Sequence, residues 1–445
     1  MKSLSTNPRV LLCTVYRRFR GDYMDIAGRA VYSHPRAGMA LRVSPGLRFI
    51  KQNVPEVEIL EYPLWHEYVE KLKQGWDVVG FSFFQIHIGE IRKMIEEARR
   101  HGVREIWAGG YGALDNDIPG LVDRVFIGPG EDRIAQVFGH RVKDEDIQHP
   151  VMMVHVCFVL GLRHVTLGLL YTTHGCPFRC TFCQTQAFES RHFVINFESI
   201  KRVVAYYHKI GINDIAVMDE LFGTHPKFAD KLTRLLAHYK MRWWVQSRAA
   251  LYRRYLDVWY ERGLRMPAIG VESMTQSSLD SVKKRHKIEE VIEYARRSRE
   301  KPGMFRFGNC IIGYEHMTAE ELIDDVIRFK QLGFDAHNLS VLTPYPRTPL
   351  RDEIVSKYGI FDHAYRHYGG MHLVWNHPHI SSVQMRYLLK YFKGFLNRPV
   401  DLYRKGIKRL ILDELRQQGS GFLWRHLIKG LISSMRIDDR ALVYF

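Results

Sequence analysis

Six cysteines in 445 residues are too few for a disulfide framework, and no stretch is apolar for long enough to span a bilayer. The most apolar window, Val151 to Leu170, is interrupted by His155, Arg163, His164 and Thr166. Met1 to Arg9 is polar, so no secretory leader is expected and the protein reads as soluble and cytoplasmic. Zinc-finger, helix-turn-helix and RNP-type patterns are missing as well, which argues against nucleic-acid binding. The net charge of +17 still implies attraction to something acidic: nucleic acid, anionic lipid or a phosphorylated substrate. With 46% hydrophobic and 25% charged residues, a disordered or fibrous chain is excluded and two or three globular domains are expected.

Periodicity divides the chain. Over residues 1–140, strand patterns at Val10–Val15, Val57–Tyr62, Val78–Phe84, Glu105–Ala108 and Val122–Ile127 alternate with helical ones, notably Ile88–Gly102. That alternation predicts an α/β domain with a doubly wound parallel sheet. Two glycine corners follow late strands, Gly109-Gly110-Tyr111-Gly112 and Gly128-Pro129-Gly130-Glu131. Either they are tight turns, or they let backbone approach a ligand closely, with a helix N-terminus favouring an anion.

Residues 141–166 read as a linker. Over 167–350, strand candidates at Leu167–Thr172, Asp214–Met218, Trp243–Gln246, Ala268–Val271, Phe307–Ile312 and Ala336–Leu342 predict a partial (β/α)6 barrel, with its site at the strand C-termini. Residues 351–445 read as mainly helical and basic; Leu423, Leu427, Leu431 and Met435 form an apolar stripe. It either docks on its own protein or rests on an anionic membrane surface.

Three of the cysteines crowd into one loop, Cys176, Cys180 and Cys183, spaced C-x3-C-x2-C. Thiolates suit iron–sulfur clusters, and three ligands leave one iron of a cubane open to substrate. A structural zinc site would want a fourth Cys or His close by, and His174 is badly placed to serve.

The triad in its Gly175-Cys176-Pro177-Phe178 context, heading a barrel, resembles the radical SAM superfamily. The resemblance implies a [4Fe–4S] cluster whose open iron is chelated by the amino and carboxylate groups of S-adenosylmethionine. One electron, from an external donor of flavodoxin or ferredoxin type, then cleaves the C5′–S bond and yields a 5′-deoxyadenosyl radical. By the same resemblance Phe182 lies near the adenine and Asp219-Glu220 near the methionine end. Gln246 and Arg248 would contact the carboxylate, and Glu272 the ribose. Gly313 matches a family turn, and Pro344–Leu350 resembles a P-x-P-G-T-x-L segment in which Arg347 replaces the glycine.

A doubly wound domain ahead of such a barrel resembles the cobalamin-binding subfamily, which includes C-methyltransferases and enzymes of tetrapyrroles, hopanoids and other lipids. That resemblance implies cobalamin held at Gly109, Gly110, Tyr111, Gly128 and Glu131, although Asp22 to Gly28 lacks the axial histidine of Asp-x-His-x-x-Gly. The expected activity is cobalamin-dependent C-methylation of a small-molecule or lipid-like substrate. The alternative is a non-methylating radical oxidoreductase or carbon-bond-forming enzyme. Cys310, Tyr314 and Tyr345 are candidate hydrogen or proton donors, Cys310 being also a candidate extra ligand or plain packing, while Cys13 and Cys157 read as core. His363, His367, His372, His377 and His379 form a loose cluster without paired ligand spacing.

Overall fold

The computed structural model describes residues 7–17, 38–39, 43–158 and 163–398. They fall into two compact units, one within 1–175 and 184–207, the other within 176–183 and 208–398. The Asp22–Gly28 segment and the apolar stripe beyond Leu423 lie outside the described residues, as does the side chain of Cys157.

In the first unit, β1 (Val10–Cys13), β2 (Glu58–Leu60), β3 (Val78–Ser82), β4 (Glu105–Gly109) and β5 (Arg124–Val125) form a parallel sheet in the order β2-β1-β3-β4-β5. All of β1 is buried, Cys13 included, as a central strand covered on both faces must be. Helices α1 (Pro45–Asn53), α2 (Trp65–Leu72), α3 (Ile88–Arg100) and α4 (Glu131–Ala135) accompany the sheet. α3 buries Ile88, Ile91, Met94, Ile95 and Ala98 along the one stripe that a 3.6-residue period allows. Val10, Leu12, Val54, Val78, Trp107 and Ile134 share one core cluster. Strand order reverses between β1 and β3, and such a switch point opens a crevice at the strand C-termini.

The stretch expected as a linker instead carries β6 (Met153–Phe158), paired antiparallel with β7 (Arg163–Leu170). Met152 N–H donates to the Tyr207 hydroxyl, which in turn donates to the Leu169 carbonyl, so one buried tyrosine ties this hairpin down. Short α5 (Thr185–Phe188) and α6 (Phe197–Lys209) follow.

In the second unit β8 (Asp214–Val217), β9 (Arg242–Ser247), β10 (Leu264–Glu272), β11 (Phe307–Ile312) and β12 (Ala336–Val341) pair in chain order, all parallel. Between and after them run α7 (Pro226–His238), α8 (Ala249–Glu261), α9 (Gln276–Ser281), α10 (Ile288–Arg299), α11 (Ala319–Gln331), α12 (Pro349–Lys357) and α13 (Ser382–Leu396). These five strands and β7 match the six expected. The edge at β12 is blunted by one side chain: Asn397 accepts from His337 N–H and donates to the His337 carbonyl, replacing a strand partner.

Alternation along β11 and β12 defines two faces. Gly308, Cys310 and Ile312 are buried, and a Cβ on Gly308 would meet the rings of Phe334 and, on α11, Phe329. Phe307, Asn309 and Ile311, with Ala336, Asn338 and Ser340, form the more open face that lines the barrel.

Candidate active site

The cysteine loop is held by its backbone. Thr181 N–H donates to the Val282 carbonyl at 3.0 Å and Leu350 N–H to the Thr181 carbonyl at 3.1 Å, while Cys183 N–H closes a turn on Cys180 O. Cys176, Cys180 and Cys183 are left half-buried, as is Phe182. Among the described residues no three His, Cys, Asp or Glu side chains gather around one point as ligands of a single ion. A cubane asks for less convergence, because each thiolate binds a different iron. Burial pushes the Cys176 thiol up to about 11, so taking up metal releases a proton there at neutral pH.

The Pro344–Leu350 segment supports that loop. Arg347 takes the left-handed conformation (φ 57°) that its glycine counterpart would take, with its side chain exposed. Thr348 caps α12 and donates from its hydroxyl to the Tyr345 carbonyl at 2.7 Å, leaving Tyr345 half-buried. Gly313 is left-handed as well, at φ 84°.

Arg248, beyond the end of β9, is 5% exposed. Its guanidinium lies over the Phe178 ring, 3.9 Å from the centroid, and bonds the Cys180 sulfur. A cation is thus fixed beside the cysteine loop. Gln246 is exposed two residues earlier, within β9; its backbone carbonyl takes Phe222 N–H, and Ser247 donates to Phe222 O at 2.8 Å. Asp219 is buried and Glu220 half-buried just past β8. The strand ends therefore place Glu220, Gln246, Arg248 and Glu272 on successive strands of one parallel sheet.

Two expected hydrogen donors are relocated. Cys310 faces the helix side and Tyr314 is 0% exposed; both donate to the Glu272 carbonyl, at 3.3 and 3.4 Å. They support the strand end, and Cys310 points away from the barrel interior. The reason is register: a side-chain period of two puts Cys310 on the face opposite its neighbour Asn309. Asp325 on α11 continues that support, accepting from Ser273 Oγ, Met274 N and Thr275 Oγ at 2.8–3.0 Å. Two of the histidines have partners elsewhere in this unit: His367 pairs with Asp362, and His377 Nε2 donates to the Tyr314 carbonyl.

Sequence reading missed Lys284, Asp325 and the pair Asn309–Asn338. The first sits in a Lys-Lys-Arg-His run that looks like solvated surface. On the lumen face the Ile269 carbonyl can only accept, so Asn309 Nδ2 must face it at 3.3 Å. Asn309 Oδ1 then accepts from Asn338 Nδ2 at 3.2 Å, which turns Asn338 Oδ1 outward.

In the first unit the glycine corners close on their own chain. A Cβ on Gly110 would stand 2.9 Å from Phe83 O, one on Gly112 2.3 Å from the Phe83 ring, and one on Gly128 3.0 Å from Phe188 O. Tyr111 stacks on Phe188 at 4.4 Å and on Phe84 at 6.0 Å; Gly109 ends β4. Glu131 is 3% exposed and its Oε2 has no hydrogen-bond partner. It lines an open cavity of about 640 Å³ with Asp144, Phe188, Glu189 and Arg191. Burial pushes its carboxyl up to about 7, and Asp144 and Glu189 add to the rise. Because that value is raised above the unfolded one, the contribution to stability is full below about pH 4.5 and lost as pH climbs to about 7. Glu131→Gln is expected to be more stable than the parent by roughly 3 kcal/mol at pH 8 and no different at pH 4.5. Equal melting gaps at both pH values would show that the carboxyl is not the cause.

Residues 170–326 match the radical SAM superfamily. An uncharacterized methyltransferase of Pyrococcus horikoshii is 26% identical over 277 residues, covering 60% of this chain and 57% of that protein. The anaerobic magnesium-protoporphyrin IX monomethyl ester cyclase of Cereibacter sphaeroides is 27% identical over 216 residues, covering 46% and 34%. The chain thus spans little more than half the length of the first relative and a third of the second. In fold it resembles the radical S-adenosylmethionine methyltransferase TsrM of Kitasatospora setae, solved with cobalamin and a [4Fe–4S] cluster bound, at TM-score 0.59 and 17% identity over 79% of this chain and 78% of that one. With three thiols on one pinned loop, a fixed cation beside them and carboxylates at the neighbouring strand ends, residues 170–326 form a radical SAM domain, the catalytic domain of an enzyme.

Proposed function

We propose that the protein is a cobalamin-dependent radical S-adenosylmethionine methyltransferase acting on a carbon of a small-molecule substrate. The observation that carries the reading is the presence, in one chain, of a parallel sheet with a β1/β3 switch point and of the cysteine-bearing barrel domain. The methyltransferase names of relatives support it. Bound, the cluster and S-adenosylmethionine supply a carbon radical able to abstract an unactivated hydrogen, and cobalamin supplies a carrier for the methyl group.

The chain's own residues do the rest. Cys176, Cys180 and Cys183 would hold the cluster. Arg248 pairs with the cofactor carboxylate and Glu272 accepts from its ribose hydroxyls, and both are buried, so their bonds form with little competition from water. Asn338 offers an amide oxygen to a substrate lying against the open face of β11 and β12. The basic surface suits an acidic one-electron donor of flavodoxin or ferredoxin type.

Anaerobically reconstituted protein supplied with cobalamin is expected to show a corrinoid absorption band, and its turnover mixtures to contain both S-adenosylhomocysteine and 5′-deoxyadenosine. 5′-Deoxyadenosine without S-adenosylhomocysteine, from protein that takes up no corrinoid, would replace this reading with a non-methylating radical reaction.

A further inference from the structure

Glu272 stands in a backbone conformation that a residue with a Cβ avoids, at φ 67°. Strain of this kind persists only where the surroundings over-determine it. Here Cys310 and Tyr314 fix its carbonyl, Asp325 fixes the next three residues, and Lys284 fixes the side chain. Lys284 Nζ donates to Glu272 Oε1 at 2.7 Å, with both side chains 10% exposed. The pair lies across Gly270, where a Cβ would stand 2.3 Å from Oε1 and 2.9 Å from Nζ. Gly270 is paired with Asn309 in the sheet, so the ion pair sits on the lumen side of β10.

Lys284 is flanked by two more left-handed residues, Lys283 at φ 52° and Arg285 at φ 50°, neither of them glycine. These turns aim the carbonyls of Lys284 and Arg285 at Arg248, whose guanidinium donates to both. The next residue, His286, accepts the Ala249 N–H on Nε2 at 2.9 Å and so fixes the start of α8, where Arg248 sits. A buried ion pair reached through strained backbone is a poor way to gain stability, since well-packed apolar side chains do as well or better. It is a good way to hold two charged groups at a set separation.

We infer that Lys284 is a positioning residue of the cofactor site: its ammonium sets the Glu272 carboxylate and its backbone carbonyl sets the Arg248 guanidinium, so the two groups are spaced before S-adenosylmethionine arrives. The inference rests on the proposed reading of Arg248 and Glu272 as its ligands. Preorganisation of this kind lowers the ordering cost of binding.

Lys284→Met removes the ammonium and keeps the length of the side chain. In anaerobically reconstituted full-length protein, the dissociation constant for S-adenosylmethionine, read by equilibrium dialysis, should rise about 10- to 100-fold. Iron and sulfide content and the EPR signal of the reduced cluster should match the parent. Lys284→Arg should recover part of the affinity, and Lys284→Met combined with Glu272→Gln should bind about as weakly as the weaker single variant, because the lysine acts through the carboxylate. Should Lys284→Met fail to fold, Arg285→Gly decides: relaxing that turn should leave the melting temperature equal or higher yet weaken binding. Affinity within about twofold of the parent in whichever variant folds overturns the inference alone. A parent that carries its cluster and binds no S-adenosylmethionine overturns the proposed ligand roles and the inference with them.

Discussion

Cys180→Ala is expected to lower 5′-deoxyadenosine formation by at least ~100-fold, more than the loss of an outer-shell partner would cost a metal site. On the proposed reading each cysteine of the loop would serve one iron and the fourth iron would be left for the cofactor, so removing one sulfur would strip a corner of the cluster. The fold should survive. Thr181 stays pinned to Val282 and Leu350 through its backbone, and trimming a half-buried thiol costs on the order of 1 kcal/mol. Iron and sulfide analysis beside a melting curve separates the two effects: low iron with a near-parental melting temperature is the expected pair. Deoxyadenosine released at the parental rate would show that the triad does not carry the chemistry.

Gly175→Ala should be the most damaging small substitution near the site. Gly175 has φ 72°, and a Cβ there would lie 1.9 Å from the Arg191 carbonyl and 3.2 Å from that of Glu189. Arg191 cannot step aside easily, because its guanidinium is bonded to Glu189 at 2.8 Å and to Asp144 at 2.7 Å. His192 adds a contact from Nδ1 to the Gly175 carbonyl at 3.1 Å. A loss of about 3 kcal/mol or more is expected, with poor cluster loading because Cys176 is the next residue. Gly102→Ala supplies the comparison: its φ is 78°, but nothing lies within 4 Å of the added Cβ. That variant bears only the left-handed penalty, about 1 kcal/mol. Urea unfolding of both variants tests the point, and equal losses would mean that Arg191 yields and the close approach is not what demands glycine.

Local signals made much of the fold legible. The buried run Val10–Cys13 and the apolar stripe of α3 report their own burial, because period and composition follow directly from being covered on two faces or on one. The cysteine loop reads equally well, since its three ligands lie within a few residues of one another. Strands β8 to β12 begin and end within a few residues of the expected limits. The hairpin of β6 and β7 was hidden by charged and histidine residues that break its apolar pattern.

The less legible features all depend on contacts far apart in sequence. Lys284 bonds a residue twelve positions away and Arg248 thirty-six positions away, and nothing in a basic run announces either. Which way Cys310 points follows from the register of β11, where a shift of one residue would have turned it into the lumen. The corner before buried Glu131 closes on distant segments, Gly128 on Phe188 and Gly130 on Ile50.

The sequence by itself determined the chemistry that this protein carries: three thiolates at cluster spacing on a loop after a strand, within a barrel preceded by a doubly wound sheet. Short-range spacing and periodicity suffice for that. Only the tertiary structure decided which groups face the reaction and which stand behind it. It turned Cys310 and Tyr314 into supports, set Arg248 against Phe178 and Cys180, and brought Lys284 onto Glu272. Strand register and strained turns make those choices, and both are fixed by packing between segments that no local pattern connects.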